Sequence, residues 1–434
     1  MDKIINVKTK NRTSSTIHDA FSIGIFLAIR EVKKASLWTT LLIIAVMVLT
    51  FLNLIVISGV LVGLIQGSED ANKARYTSDI IVSNLLKKEY IEKSPWVIDT
   101  IKSFPNVKEV TARYVAASKI EANYKERTRL TDKVDQANGL VMGIDPEKEN
   151  SVTGLSKFVK EGEYLTRNDS DSIMLGANLL YKYAPIDSPG LQTLKKVEIG
   201  SRVRLVVMGK TKEVTVKGII KSKVGELDQR VYIVDRELRN LIGRSDYNVD
   251  EIAVKLIDGT NEEDVNAVKK QIVDAGVSEY AKVLTWREAQ PKFLTDIKLT
   301  FALLGNLIGS IGLAVACITI FIIIFVNAIT RRRYIGILKG IGIRALSIEI
   351  SYILQALFYA TVGIAIGSAI VFFVLQPFIA SHPINFPFSD GILVATPSGT
   401  LMRAIILIVA TAIAGYIPAR IVVKQNTLDA ILGR

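Results

Sequence analysis

The chain has 434 residues, 49% of them hydrophobic and 22% charged, with a formal net charge of +12, two histidines and one cysteine. Its mean hydropathy of +0.33 is too apolar for an ordinary soluble protein, yet the charge content is too high for a chain lying wholly in a bilayer. The lone Cys317 excludes an intrachain disulfide and paired-cysteine zinc or redox chemistry.

Taken in chain order, residues 1–36 form a basic leader carrying Lys3, Lys8, Lys10 and Arg12, followed by "TIHDAFSIGIFLAIREVKK". There Phe21, Ile25, Ala28, Ile29 and Val32 recur at helical spacing beside Arg30, Lys33 and Lys34, which predicts an amphipathic helix on the inner leaflet. The alternative is an inward continuation of the first span. No charge occurs from Ala35 to Ser68, a run far longer than the roughly 20 residues a spanning helix needs. The first span is placed at 37–66; its length and the basic leader before it argue against a cleaved signal peptide.

Residues 67–298 read as a soluble mixed α/β domain. Strands are predicted at "SDIIVS", "VKEVTARYVAASKIEA", "GLVMGID", "DSIMLG", "RVRLVVM", "KEVTVKGII", "RVYIV" and "DEIAVKLI". Helices are predicted at "SPWVIDTIKSF", "ANLLYKYA", "DRELRNLI", "NEEDVNAVKKQIVDAG" and "TWREAQPKFLTDIKL". Residues 191–234, nearly all strand and turn, suggest a β-rich subdomain.

Three further spans follow, at 299–330, 350–376 and 400–419, separated by a basic segment at 331–349 and an external loop at 377–399; a tail occupies 420–434. Arg403 lies near the start of the last span, where it can snorkel. Every Lys/Arg cluster falls on one side of this topology, and the loop Gln376–Gly399 has none, so both termini are predicted to be cytoplasmic. The fold class is thus an integral membrane α-helical protein with four transmembrane helices and a large extracytoplasmic mixed α/β domain inserted between helices 1 and 2. Much of the positive charge is juxtamembrane, which points to membrane lipid and not to nucleic acid.

Enzymatic motifs are absent: the sequence has no GxxxxGK[ST], GxSxG or HExxH, and His18 and His382 fall on opposite sides of the predicted membrane. No catalytic residue, metal site or bound cofactor is expected. The span interiors hold no Asp, Glu, Lys or His, and four helices are few for a coupled carrier. Gly305, Gly309, Gly363 and Gly367, at small-xxx-small spacing, read as helix-packing surfaces or as a dimer seam.

The segment "RRRYIGILKGIGIRALSIEIS" is the informative one. Arg331, Arg332, Arg333, Ile335, Gly336, Ile337, Leu338, Lys339, Ile341 and Gly342 resemble the cytoplasmic signature of the MacB/FtsX/LolC family of ABC-transporter permeases, R-x-[RK]-E-I-G-I-L-K-A-I-G-A. The departures are Tyr334 where the family usually has Glu, Gly340 and Ile343 where Ala is usual, and Gln355 where many members carry Glu. "GYIPARIVVKQNTLDAILGR" is similar to the family's C-terminal motif, with Leu428 for the usual Pro; "VKEGEYLTRNDSDSIMLGANLLYKYA" and "AIREVKKASLWTTLLIIAVMV" are similar to its outer-domain run and its entry into span one.

The resemblance implies a permease that pairs as a homodimer or with a related permease and recruits a separate cytoplasmic ABC ATPase, which binds the ATP and Mg. It implies that residues 331–342 couple ATPase movement to the outer domain, with an envelope adaptor or other outer partner. It also implies that Gly336 and Gly342 let the coupling helix turn tightly, and that "TWREAQPKFLTDIKL" forms the outer start of span two. The substrate would be a lipoprotein, peptide, lipid or hydrophobic compound. The alternatives are a non-transporting mechanotransmitter that regulates a cell-wall hydrolase, and a tethered sensor without ATPase coupling.

Overall fold

The computed structural model describes residues 20–125, 134–185, 192–386, 389–391 and 393–424. Lys3, Lys8, Lys10, Arg12, His18, Leu428 and Arg434 lie outside the described residues. The chain divides into an apolar unit (Met1–Leu64, Ile297–Ile384, Gly391–Arg434) and an α/β unit (Ile65–Asp296, Asn385–Asp390).

Among the described residues the apolar unit takes in α1 (20–34), the greater parts of α2 (Leu37–Asn72) and α3 (Lys292–Thr330), then α4 (Arg332–Gly340), α5 (Ala345–Ile370) and α6 (Pro397–Val423), with a short helix Gln376–Ser381 between the last two. α2, α3, α5 and α6 are long and apolar enough to cross a membrane. At 1.5 Å per residue, the 36 residues of α2 reach about 54 Å, well beyond a hydrocarbon core of roughly 30 Å. α1 is a separate helix, parted from α2 by residues 35 and 36.

Glycines set how closely these helices approach. A Cβ on Gly363 would stand 2.4 Å from Met47 Cβ, and one on Gly367 would stand 2.7 Å from Phe51 Cδ1, so α5 meets α2 where no side chain fits. A Cβ on Gly305 would stand 3.3 Å from Leu61 Cδ1 and one on Gly309 3.4 Å from Leu54 Cδ2, a looser contact between α3 and α2. Gly24 brings α1 onto Ile350 of α5 in the same way, with a would-be Cβ 2.7 Å from Ile350 Cγ2.

The α/β unit holds one ten-stranded sheet: β1 (Ile80–Asn84), β2 (Val107–Glu121), β3 (Gln136–Ile144), β4 (Val159–Gly162), β5 (Ser172–Gly176), β6 (Arg202–Val207), β7 (Lys210–Ile220), β8 (Arg230–Val234), β9 (Glu251–Leu256) and β10 (Ala281–Thr285). The pairings β2–β3–β8–β5–β7–β6 return to β2 and close a ring, while β9, β1 and β10 extend from the first half of β2 as an open sheet. β2 is therefore shared. Its residues 107–113 pair with β9 and residues 113–121 pair with β3, so both halves of the unit meet at Arg113. Alternation explains the ring core: in β6, Val203, Leu205 and Val207 point inward while Arg202 faces solvent. Helix Ser94–Lys102 covers β2, and helix Glu262–Asp274 covers β10.

Several expectations are corrected. Residues 191–234 are not a separate β-rich subdomain, because β6 pairs with β2, and β8 pairs with β3 and β5, inside the common sheet. "ANLLYKYA" is a three-residue 3-10 turn and not a helix; Leu180 forms a bridge with Leu194, and Ala177 and Leu179 are buried. α3 starts at Lys292 and not at Thr285, because Thr285 still belongs to β10 and the Trp286 amide is bound by Asp79 O. Gly336 lies buried within α4 and makes no turn; Gly342, at φ +96°, makes it.

A missed helix, Pro146–Thr153, follows from local rules: Asp145 Oδ1 caps the Glu147 and Lys148 amides at 3.2 and 3.3 Å, Pro146 sits at the first turn, and Gly154 closes the end at φ +65°.

Candidate coupling site

α4 is a nine-residue helix between two membrane-length ones, and its neighbours hold it at both ends. At its start, Arg331 Nη1 pairs with Glu31 Oε2 of α1 at 3.0 Å. At its end, Lys339 Nζ donates to the Val423 carbonyl of α6 at 3.0 Å, a cation placed on a helix C-terminus where the dipole favours it. Between them, Ile335, Gly336 and Leu338 are buried against the apolar unit.

The opposite face is open. Arg333, Tyr334 and Ile337 are exposed on α4, and Ile341 beyond it is 70% exposed. Residues 333 and 337 fall one helical turn apart, so a charge and an apolar side chain share one face. Arg332 is half-buried. Tyr334 lines a groove of about 380 Å³ with Leu27, Arg30, Glu31, Lys34 and Arg331. The carboxylate in this groove is thus Glu31, on another helix, while position 334 presents a phenol. Gln355 is buried in α5 and donates to Tyr359 Oη at 3.3 Å.

A second constellation, inside the α/β unit, has no counterpart among the residues singled out by sequence. Arg113 is fully buried, with Nε 2.9 Å from Glu149 Oε2 and Nη2 2.7 Å from Glu149 Oε1. Its Nη2 also donates to the Tyr76 carbonyl at 2.9 Å, and Nη1 stands 3.5 Å from Glu251. Arg230 Nη2 donates to Tyr76 Oη at 2.9 Å and pairs with Glu251 Oε1 at 3.1 Å, and Tyr76 Oη donates to the same carboxylate at 2.9 Å.

Two guanidinium groups, two carboxylates and a phenol are therefore joined where β2, β8 and β9 come together. Burial pushes the Glu251 carboxyl up, but the charges of Arg230 and Arg113 outweigh it and hold the group below the usual range. Glu226, nearby, keeps an exposed side chain, but its carboxyl is still raised: partial desolvation against the protein surface leads, Arg230 opposes it and Glu251 adds to it. The one available sequence signal is Arg113 itself, a charge at an inward position of a strand. Among the described residues, no group of three or more His, Cys, Asp or Glu side chains could hold a metal ion.

Comparison with known proteins bears on both units. A family model described as MacB-like periplasmic core domain matches residues 40–275, and one described as FtsX-like permease C-terminal matches residues 306–427. The macrolide export ATP-binding/permease protein MacB of Escherichia coli O157:H7 is 28% identical over 135 residues, covering 30% of this chain and 19% of that protein. The chain thus matches about a fifth of that relative's length.

Among solved structures, the periplasmic region of MacB from Actinobacillus actinomycetemcomitans aligns at 13% identity and TM-score 0.33, over 50% of this chain and 92% of that one. The extracellular domain of the noncanonic ABC-type transporter YknZ from Gram-positive bacteria aligns at 18% identity and TM-score 0.31, over 48% and 100%. With four membrane-length helices, the two family matches make this a membrane protein with an extracytoplasmic domain.

Proposed function

The chain belongs to the MacB/FtsX family of ABC-transporter permeases, and from that premise we propose that it is the membrane subunit through which a separate cytoplasmic ATPase moves an extracytoplasmic domain inserted between the first two spans. ATP and Mg are bound by that partner, and this chain supplies the surface that receives the movement. The observation that carries the reading is α4: buried by Ile335 and Leu338, tied by Arg331 and Lys339 to its neighbours, and open along Arg333, Tyr334 and Ile337. A helix held on one face and charged and apolar on the other suits a protein partner, with Arg333 meeting acidic groups and Ile337 an apolar pocket.

In this proposal Tyr334 replaces a carboxylate contact with an aromatic one. Two copies of the permease, or one with a related chain, would present two such helices to two ATPases. The outer domain would then act on a lipoprotein, peptide, lipid or hydrophobic compound without a polar path through the spans. The test is a pull-down of the ATPase from native membranes with Arg332→Glu and Arg333→Glu together. Recruitment falling by about tenfold or more is expected for the loss and reversal of charges at a docking surface; recruitment at the original level, with the protein inserted, overturns the role of α4.

A further inference from the structure

Between α2 and β1 the chain winds through a π turn, Lys73–Thr77. Such turns are rare and concentrate at functional sites. Here each long side chain goes to a different part of the α/β unit. Lys73 Nζ donates to the Gly259 carbonyl at 2.6 Å and stands 5.0 Å from the Trp286 ring centroid. Arg75 donates to the Ser222 carbonyl beyond β7, its guanidinium 4.5 Å from the Phe158 ring centroid. Tyr76 is buried between Arg113 and Arg230, whose guanidinium carbons lie 5.2 and 4.9 Å from its ring centroid.

Tyr76 differs from the other two in what its partners belong to. Through its hydroxyl it is bonded to Arg230 at the start of β8, in the closed ring, and to Glu251 at the start of β9, in the open sheet. Through its carbonyl it is bonded to Arg113, the residue of β2 at which the two halves meet. Next in the chain but one, Ser78 sits at φ 54° and ψ −148°, a region that a non-glycine residue occupies only when its surroundings hold it there. The helix end is thus fixed by a strained residue and a side chain that touches both halves, an arrangement in which neither half can shift relative to the turn without breaking a bond to a charged group.

We propose that Tyr76 is the positioning residue that delivers displacement of α2 to both halves of the α/β unit together. The proposal rests on the reading of the chain as a mechanical permease and names the residue by which its outer domain is driven. It is tested on the full chain in lipid nanodiscs with the ATPase captured from its native membranes, by hydrogen exchange with and without ATP. In the original protein, ATP should change exchange in both β8 and β9. Tyr76→Phe keeps the ring between the two guanidiniums and removes only the hydroxyl bonds; it should retain ATPase recruitment and hydrolysis while the ATP-dependent change in β8 and β9 falls by about tenfold, the effect of losing a hydrogen bond to a charged group. Ser78→Gly, which removes backbone strain and leaves every Tyr76 bond in place, should keep the ATP response.

An ATP response in Tyr76→Phe equal to the original overturns the inference and leaves the permease reading standing. Loss of the response in Ser78→Gly with Tyr76→Phe unaffected also overturns it, placing transmission in the backbone. If the original protein captures no ATPase, or binds one and shows no ATP response, both readings fall.

Discussion

Arg113 and Glu149 form a two-point ion pair shut away from water, with Nε–Oε2 at 2.9 Å and Nη2–Oε1 at 2.7 Å. The pair joins β2 to helix Pro146–Thr153, and Thr111 Oγ1 and Thr153 Oγ1 each bond the same carboxylate at 3.1 Å. A buried pair of this kind is costly to break because the surviving charge has nowhere to go. Glu149→Leu should destabilise the α/β unit by roughly 3–5 kcal/mol. The double variant Arg113→Met/Glu149→Leu should recover much of that loss, because no charge is then left uncompensated. Thermal unfolding followed by tryptophan fluorescence decides it: a double variant no more stable than the single would show that the arginine's other bonds, to Tyr76 and Glu251, matter more than the pair.

The carboxyls beside this pair carry opposite pH signs. Glu226 has a raised value, so its contribution to stability is present below the ordinary carboxylate range and is lost as pH rises through its folded value. Glu251 has a lowered value, so its contribution is present above the ordinary range and is lost as pH falls through its folded value. Because Glu226 is exposed and solvent screens its charge, Glu226→Gln should raise the unfolding temperature at neutral pH only slightly and flatten the pH dependence just above the ordinary carboxylate range. Glu251→Gln should lower stability at neutral pH and remove part of the acid-side loss. Unfolding scans across pH check both, and a Glu226→Gln profile parallel to the original would refute the assignment.

Among the glycines of the spans, spacing does not separate the tight contacts from the loose ones; distance does. Gly363→Ala places a methyl 2.4 Å from Met47 Cβ and should cost about 1–3 kcal/mol through overpacking. Gly305→Ala meets Leu61 at 3.3 Å, at the end of a side chain that can turn away, and should cost less than about 1 kcal/mol. Detergent-solubilised thermal stability distinguishes them, and equal midpoints would contradict the α5–α2 contact.

The proposed topology has its own test. Ser170 and Asp171 form an exposed bend leading into β5, a place that tolerates insertion. A reporter inserted there should be active only when displayed outside the inner membrane, and one fused after residue 424 should be active only in the cytoplasm. The reverse pattern would invert the protein.

What could be read from the sequence alone was whatever local chemistry dictates. The long apolar runs of α2, α3, α5 and α6, broken in the last only by Arg403, mark membrane-length helices because hydropathy is summed along the chain. Alternation in "RVRLVVM" marks β6 because strand side chains alternate faces. The coupling segment was legible as a resemblance, residue by residue, from Arg331 to Gly342. The Asp145 cap and Gly154 stop of helix Pro146–Thr153 are equally local, but "EKENSVT" lacks the apolar stripe by which a sequence marks a helix.

Tertiary structure decided the rest. Leu180 pairs with Leu194 and not within a helix, and β6 joins β2 across more than eighty residues of chain. Glu31 reaches Arg331, and Tyr76 gathers Arg113, Arg230 and Glu251. No period or spacing encodes these choices. A buried charge is stable only beside its partner, and which partner arrives is set by how distant strands register once the apolar faces have closed.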